Sequence, residues 1–163
     1  MFGGSSRKFR DRPTERGVKN FFNDVKAKII AQYGNNALYD DTIHRIGKEL
    51  IGDKFIGVYS QDLIPLEPES YYGIANTDFS GEPGTHWVAL YKKGKTIYVY
   101  DSFARPTNEI MPIFYKKARD NNITIIDINR EPDQYVTSQV CGPISLSWLL
   151  SVEKHGLHGG SLI

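Results

Sequence analysis

The sequence predicts an α+β domain, a central sheet with helices against it that follow no regular alternation along the chain. Three observations carry this. Val18, Phe21, Phe22, Val25, Ile29, Ile30 and Tyr33 repeat with the spacing of one helix face, and Ile144, Leu146, Trp148, Leu149 and Val152 do so near the other end. Between them, four runs are strand-like: Phe55–Tyr59, Tyr71–Asn76, His86–Tyr91 and Thr96–Asp101. The length, 163 residues, suits one domain with a sizeable core.

Taken in order, residues 1–16 are polar, with Arg7, Lys8, Arg10, Arg12 and Arg16 against Asp11 and Glu15, and read as a flexible basic arm. A docking arm for nucleic acid or an acidic surface is the alternative. The first helix ends at Gly34-Asn35-Asn36. A second follows Asp40 or Asp41 as cap, runs through Ile43, Ile46 and Leu50, and stops near Gly52, with His44 read as a surface or structural residue. The strands then begin. Gln61–Ser70, with Pro65 and Pro68, and Thr77–Thr85, with Gly81, Pro83 and Gly84, read as loops. Thr107–Asp120 reads as a helix turning Ile110, Met111, Phe114 and Ala118 inward, and Ile123–Ile128 as a buried β-branched strand. The domain proper is expected over residues 17–156, followed by a tail at 157–163.

Composition narrows the function classes. A hydrophobic share of 40% and a charged share of 24% are those of an ordinary globular protein. A net charge of +1 exerts no general pull on nucleic acid or acidic lipid. The single cysteine cannot form an internal disulfide, in keeping with a reducing compartment. No apolar run approaches the ~20 residues that span a bilayer, so no membrane partner is expected. Met1–Arg7 has no apolar signal segment, and glycine at position 3 does not fit the myristoylation pattern.

The lone thiol, Cys141, falls where a loop becomes the last helix, with Pro143 suited to the first turn. Free N–H groups and the positive end of the helix dipole there favour thiolate, the nucleophilic form; an inert core cysteine is the bland alternative. Lys92-Lys93-Gly94-Lys95 reads as a hairpin turn, with Lys93-Gly94 as its two central residues. That register pairs Lys92 with Lys95, Leu90 with Ile97, Val88 with Val99 and finally His86 with Asp101. Directly opposed side chains share a face with Cβ atoms about 5 Å apart. The turn would thus set an imidazole beside a carboxylate, against the bland reading of a surface ion pair worth under about 1 kcal/mol. Nucleophile, base and orienting acid together follow the logic of covalent acyl transfer. The oxyanion needs donors: the N–H of Cys141 is one, and Gln134 or Gln139 supplies a side-chain amide on spacing alone.

Several segments, in order, resemble a known family. Phe55-Ile56-Gly57-Val58-Tyr59, Ile74-Ala75-Asn76-Thr77, Gly84-Thr85-His86-Trp87-Val88-Ala89-Leu90, Tyr98-Val99-Tyr100-Asp101-Ser102-Phe103 and Cys141-Gly142 resemble the adenovirus-type (adenain-like) maturation proteases, within the superfamily that includes the SUMO-specific proteases. The resemblance covers roughly residues 55–150. It implies a papain-like fold with a central mixed sheet and the permuted order His, Asp, Cys. It also implies roles: Cys141 as nucleophile, His86 as base and then acid, Asp101 as orienting carboxylate, and Gln134, seven residues before the cysteine, as oxyanion-hole glutamine. Trp87 would wall the substrate groove, a core tryptophan being the alternative. Two departures stand out. Asp101 occupies the place of the adenoviral glutamate, and without a second cysteine no activating peptide can be tethered by a disulfide.

By the resemblance, the chain is expected to be a virus- or virophage-encoded cysteine endopeptidase. It would cut after Gly-Gly sites in capsid or core precursor polypeptides during virion maturation, in the host cell interior and the virion. An activating peptide or DNA would be a further partner, and no cofactor is implied. Met1-Phe2-Gly3-Gly4-Ser5 and Leu157-His158-Gly159-Gly160-Ser161 share one pattern, so either end is a candidate self-processing site. His155 and His158 lack a carboxylate or thiol at metal-binding spacing and read as a polar helix end. The rival readings are a deubiquitinase- or deSUMOylase-like isopeptidase, and a catalytically inactive binding module.

Overall fold

A computed structural model of the chain, describing residues 14–33, 40–78, 81, 86–128, 132 and 141–160, is built on a five-stranded mixed sheet flanked by helices. Helix α1 spans Glu15–Tyr33 and α2 spans Asp40–Ile51. Thr14 caps α1, its Oγ1 accepting from the Gly17 N–H at 3.0 Å, so the helix starts two residues inside the stretch expected to be an arm. The strands are β1 (Phe55–Ser60), β2 (Ser70–Asn76), β3 (Trp87–Lys93), β4 (Thr96–Tyr100) and β5 (Thr124–Asp127), in that spatial order. The outer pairs β1–β2 and β4–β5 are parallel and the inner pairs antiparallel. A short 3₁₀ turn, Gln61–Leu63, opens the loop after β1.

The helix expected over Thr107–Asp120 is two pieces, α3 (Thr107–Ile110) and α4 (Pro112–Asp120). Met111 between them has φ −140° and ψ 65°. Pro112 disfavours helical backbone at the residue before it, which is why an unbroken periodicity yields a broken helix. A second difference is β5. It is an edge strand with Thr124 and Asp127 exposed and Ile126 39% exposed, not a buried one. Its Ile123 and Ile125 side pack against the core beneath α4, and the opposite side lies beyond the cover of the other helices.

The last helix, α5 (Cys141–Gly160), lies on one sheet face between α1, α2 and β3. Every residue from Cys141 to Leu149 is buried, so the helix is enclosed on all sides rather than along one stripe. Its serines fit there because each hydroxyl has an acceptor: Ser145 donates to the Trp87 carbonyl (3.2 Å), Ser147 to Pro143 O (2.6 Å) and Ser151 to Ser147 O (2.8 Å). The first of these bonds ties the start of α5 to the start of β3. Gly156, at φ 75°, breaks the helix, and the short piece after it folds back onto the core. Gly159 and Gly160 are buried, and the Trp148 indole N–H donates to the Gly160 carbonyl at 3.1 Å. The C-terminal residues through Gly160 are therefore part of the packed domain. Among the described residues, no helix is long and apolar enough to cross a membrane.

Candidate functional site

The site is assembled by the open end of the β3–β4 hairpin and the first turn of α5. The hairpin turn differs by one residue from expectation. Lys93 pairs with Thr96, and Gly94-Lys95 are the central residues, with Gly94 at φ 60°. This puts glycine first in the primed turn, where positive φ is required, and spares Lys93 a left-handed conformation. The register moves with it: Leu90 pairs with Val99 and Ala89 with Tyr100. Continued to the open end, it sets His86 opposite Phe103 instead of Asp101. The displacement is two residues, an even number, so both side chains keep the same face.

His86 and Asp101 therefore meet on a diagonal. His86 Nε2 lies 2.5 Å from Asp101 Oδ1, with Asp101 1% exposed at its side chain. The imidazole's other nitrogen, Nδ1, is left for the sulfur, and His86 and Cys141 lie near enough that each shifts the other's pKa. Cys141 is 6% exposed and is the first residue of α5. The backbone N–H groups of Trp87 and Gly142 also lie near enough to the sulfur to lower its pKa. Three residues 15 to 55 positions apart in the sequence are thus brought together, acid, imidazole and thiol.

Compared with known proteins, the chain matches no family model and no curated sequence.

The electrostatics of the three have a clear direction. Burial raises the Cys141 pKa, but the hydrogen bond with His86, the N–H groups of Trp87 and Gly142 and the imidazolium charge outweigh it, so the thiol lies below its ordinary value. Burial lowers that of His86, and the bonds to Asp101 and Cys141 outweigh it, so the imidazole is held above its ordinary value. For Asp101 burial is again opposed and overcome, here by His86, Arg105 and the Phe103 N–H, and the carboxyl lies below its ordinary value. All three shifts favour one charge state: thiolate, imidazolium, carboxylate. Such a trio can attack a carbonyl carbon through sulfur and return a proton from the imidazole to a leaving group.

Trp87 is 3% exposed, within the core cluster that includes Cys141, and its indole N–H donates to Asp40 Oδ1 at 3.1 Å. Its backbone N–H is the part that acts on the sulfur, helping to lower the Cys141 pKa. Gln134 and Gln139 lie outside the described residues, as do Gly3-Gly4. His44 is exposed on α2, and its ring meets Phe55 edge-on. His155 sits edge-on to Phe21, 5.2 Å between ring centroids, with burial and Lys154 lowering its pKa. Among the described residues no group of three His, Cys, Asp or Glu side chains could hold a metal.

Two residues at the site were given no role by the sequence. Phe103 stacks on His86 with centroids 5.0 Å apart at 31°, and Arg105 Nε donates to Asp101 Oδ2 at 3.0 Å. Their signal was present: Phe103 and Arg105 follow Asp101 by two and four residues, within reach of a carboxylate at a turn.

Proposed function

We propose that the chain is a cysteine endopeptidase of the adenain-like type, a papain-like fold with the permuted order His86, Asp101, Cys141. It would cut after Gly-Gly sites in structural precursor polypeptides of a virus. The observation that carries this reading is the buried imidazole bonded at Nε2 to Asp101 and near enough to the Cys141 thiol, at a helix N-terminus, to lower its pKa. An inert core cysteine needs none of these partners.

In the proposed reaction the Cys141 thiolate attacks the carbonyl carbon of the second glycine. The oxyanion is received by the Cys141 N–H and the Gln134 amide, which oppose the charge that develops there. His86 gives its proton to the departing amine, and the thioester forms as the C–N bond breaks. Water, deprotonated by His86, then releases the acid and restores the thiol. Asp101 holds the ring in one orientation throughout and favours its charged form. Trp87, next to His86 in the chain, is proposed to wall the substrate groove near the scissile bond.

Cleavage of a Gly-Gly peptide library by the wild type and by Cys141→Ala tests this. Cuts after Gly-Gly by the wild type alone are expected. Turnover confined to a whole ubiquitin-like fusion, with short peptides untouched, would favour the isopeptidase reading. No turnover of either, with Cys141 no more reactive than a free thiol, would leave a binding module.

A further inference from the structure

We propose that Arg105 is a positioning residue for His86, acting through Asp101 on the edge of the imidazole and through Phe103 on its face. This rests on the cysteine-endopeptidase reading.

The stretch Asp101-Ser102-Phe103-Ala104-Arg105 wraps around its own first side chain. Oδ2 of Asp101 accepts from both the backbone N–H and the Nε of Arg105, each at 3.0 Å. Oδ1 accepts from His86 Nε2 at 2.5 Å and from the Phe103 N–H at 3.2 Å. The two oxygens are thereby divided, one for arginine and one for the imidazole. Without the guanidinium Oδ2 would keep only the Arg105 backbone N–H of these two donors, and the carboxylate would be held less firmly against the imidazole. The second contact is independent of the first. Arg105 Cζ lies 5.0 Å from the centroid of the Phe103 ring, and that ring lies 5.0 Å from His86. One side chain thus braces both groups that fix the imidazole.

The turn that allows this is strained. Ala104 has φ 58°, a left-handed conformation uncommon for a residue with a Cβ, and its N–H donates to the Asp101 carbonyl at 2.8 Å. Stability alone is a poor account of the arrangement, because the arginine side chain is 43% exposed and half-solvated ion pairs contribute little. Charge adds a second consequence. A cation on Oδ2 competes with the imidazolium for the same carboxylate, so Arg105 limits how far Asp101 can raise the pKa of His86.

Orientation and charge separate in two variants, Arg105→Gln and Arg105→Lys, with kcat, KM and the pH profile measured on a Gly-Gly peptide. Arg105→Gln should lower kcat about 10- to 100-fold with KM nearly unchanged, the size expected for a displaced catalytic base. It should also move the alkaline limb up by about one pH unit, since the competing cation is gone. Arg105→Lys should return that limb to its wild-type place while kcat stays low, because an ammonium cannot brace the phenyl ring and the carboxylate as a planar fork does. A wild-type kcat and alkaline limb in both variants would overturn the proposal. So would equal losses in both that follow thermal stability with the limb unmoved, the mark of a merely structural arginine. Alkylation of Cys141 by iodoacetamide in the wild type separates this from the parent reading. A thiol no faster than free cysteine would overturn that reading and the proposal with it, whereas a fast thiol beside unaffected variants overturns the role of Arg105 alone.

Discussion

Replacing Asp101 by Asn changes no volume and removes one charge. Among the described residues four donors converge on the carboxylate, two on each oxygen: His86 Nε2 and the Phe103 N–H on Oδ1, and the N–H and Nε of Arg105 on Oδ2. An amide must turn its NH₂ toward one of these pairs, setting donor against donor. With the NH₂ toward Arg105, His86 keeps an acceptor but loses the charge that favours imidazolium. With the NH₂ toward His86, Nε2 must become the acceptor, the proton moves to Nδ1, and that nitrogen can no longer take a proton from sulfur. Either way the thiolate–imidazolium pair weakens. Removing an opposite charge in direct contact shifts a pKa by about 1–3 units, or roughly 10- to 1000-fold in the ion-pair population. Desolvation of the remaining donors adds a stability cost of about 2 kcal/mol, because Arg105 can turn to water and the Phe103 N–H has less freedom. The assay is the rate of Cys141 alkylation from pH 5 to 10, with the melting temperature followed alongside. In the variant the rate at neutral pH should fall at least tenfold and rise steadily toward high pH, as for an unassisted buried thiol, and the melting temperature should fall by about 4–8 °C. An unchanged alkylation profile in a folded variant would refute the ion-pair argument.

Three other outcomes follow from the same geometry. The kcat/KM profile should be bell-shaped: because the Cys141 pKa is lowered, activity is gained as pH rises through it, and because that of His86 is raised, activity is lost only as pH rises through the higher value, with both limbs belonging to the coupled pair. A profile that climbs without an alkaline fall would contradict it. Gly47→Ala should destabilise the domain by about 1–3 kcal/mol in chemical denaturation, since a Cβ there would lie 2.4 Å from the buried Phe55 ring, outweighing the ~1 kcal/mol gain in helix propensity. Intact-mass measurement after incubation should show Ser161–Ile163 retained by the folded wild type, because the Gly160 carbonyl is bonded to Trp148 and the glycine pair is buried; loss of that tripeptide from the wild type but not from Cys141→Ala would show that the end opens.

The sequence by itself determined what local physics controls. Helical spacing around Val18–Tyr33 and Ile144–Val152, four strand-like runs and a lysine-glycine turn were enough for an α+β domain and for His86 and Asp101 to share a face. The face survived a shifted turn because side chains in a strand alternate with period two, and the register moved by an even number. What the sequence left open depended on neighbours it does not record. Met111 breaks a helix that periodicity would continue, β5 is exposed because it sits at the sheet edge, and Gly159-Gly160 are packing residues because Val152, Trp148 and His155 leave no room for a Cβ. Only the tertiary structure decided that Arg105 bonds Asp101, that Phe103 lies against the imidazole, and that Cys141 comes near His86 across 55 residues of chain. Hydrophobic pattern specifies which face of an element is buried; which side chains then touch is fixed by how the buried faces close-pack, and that is a property of the assembled core.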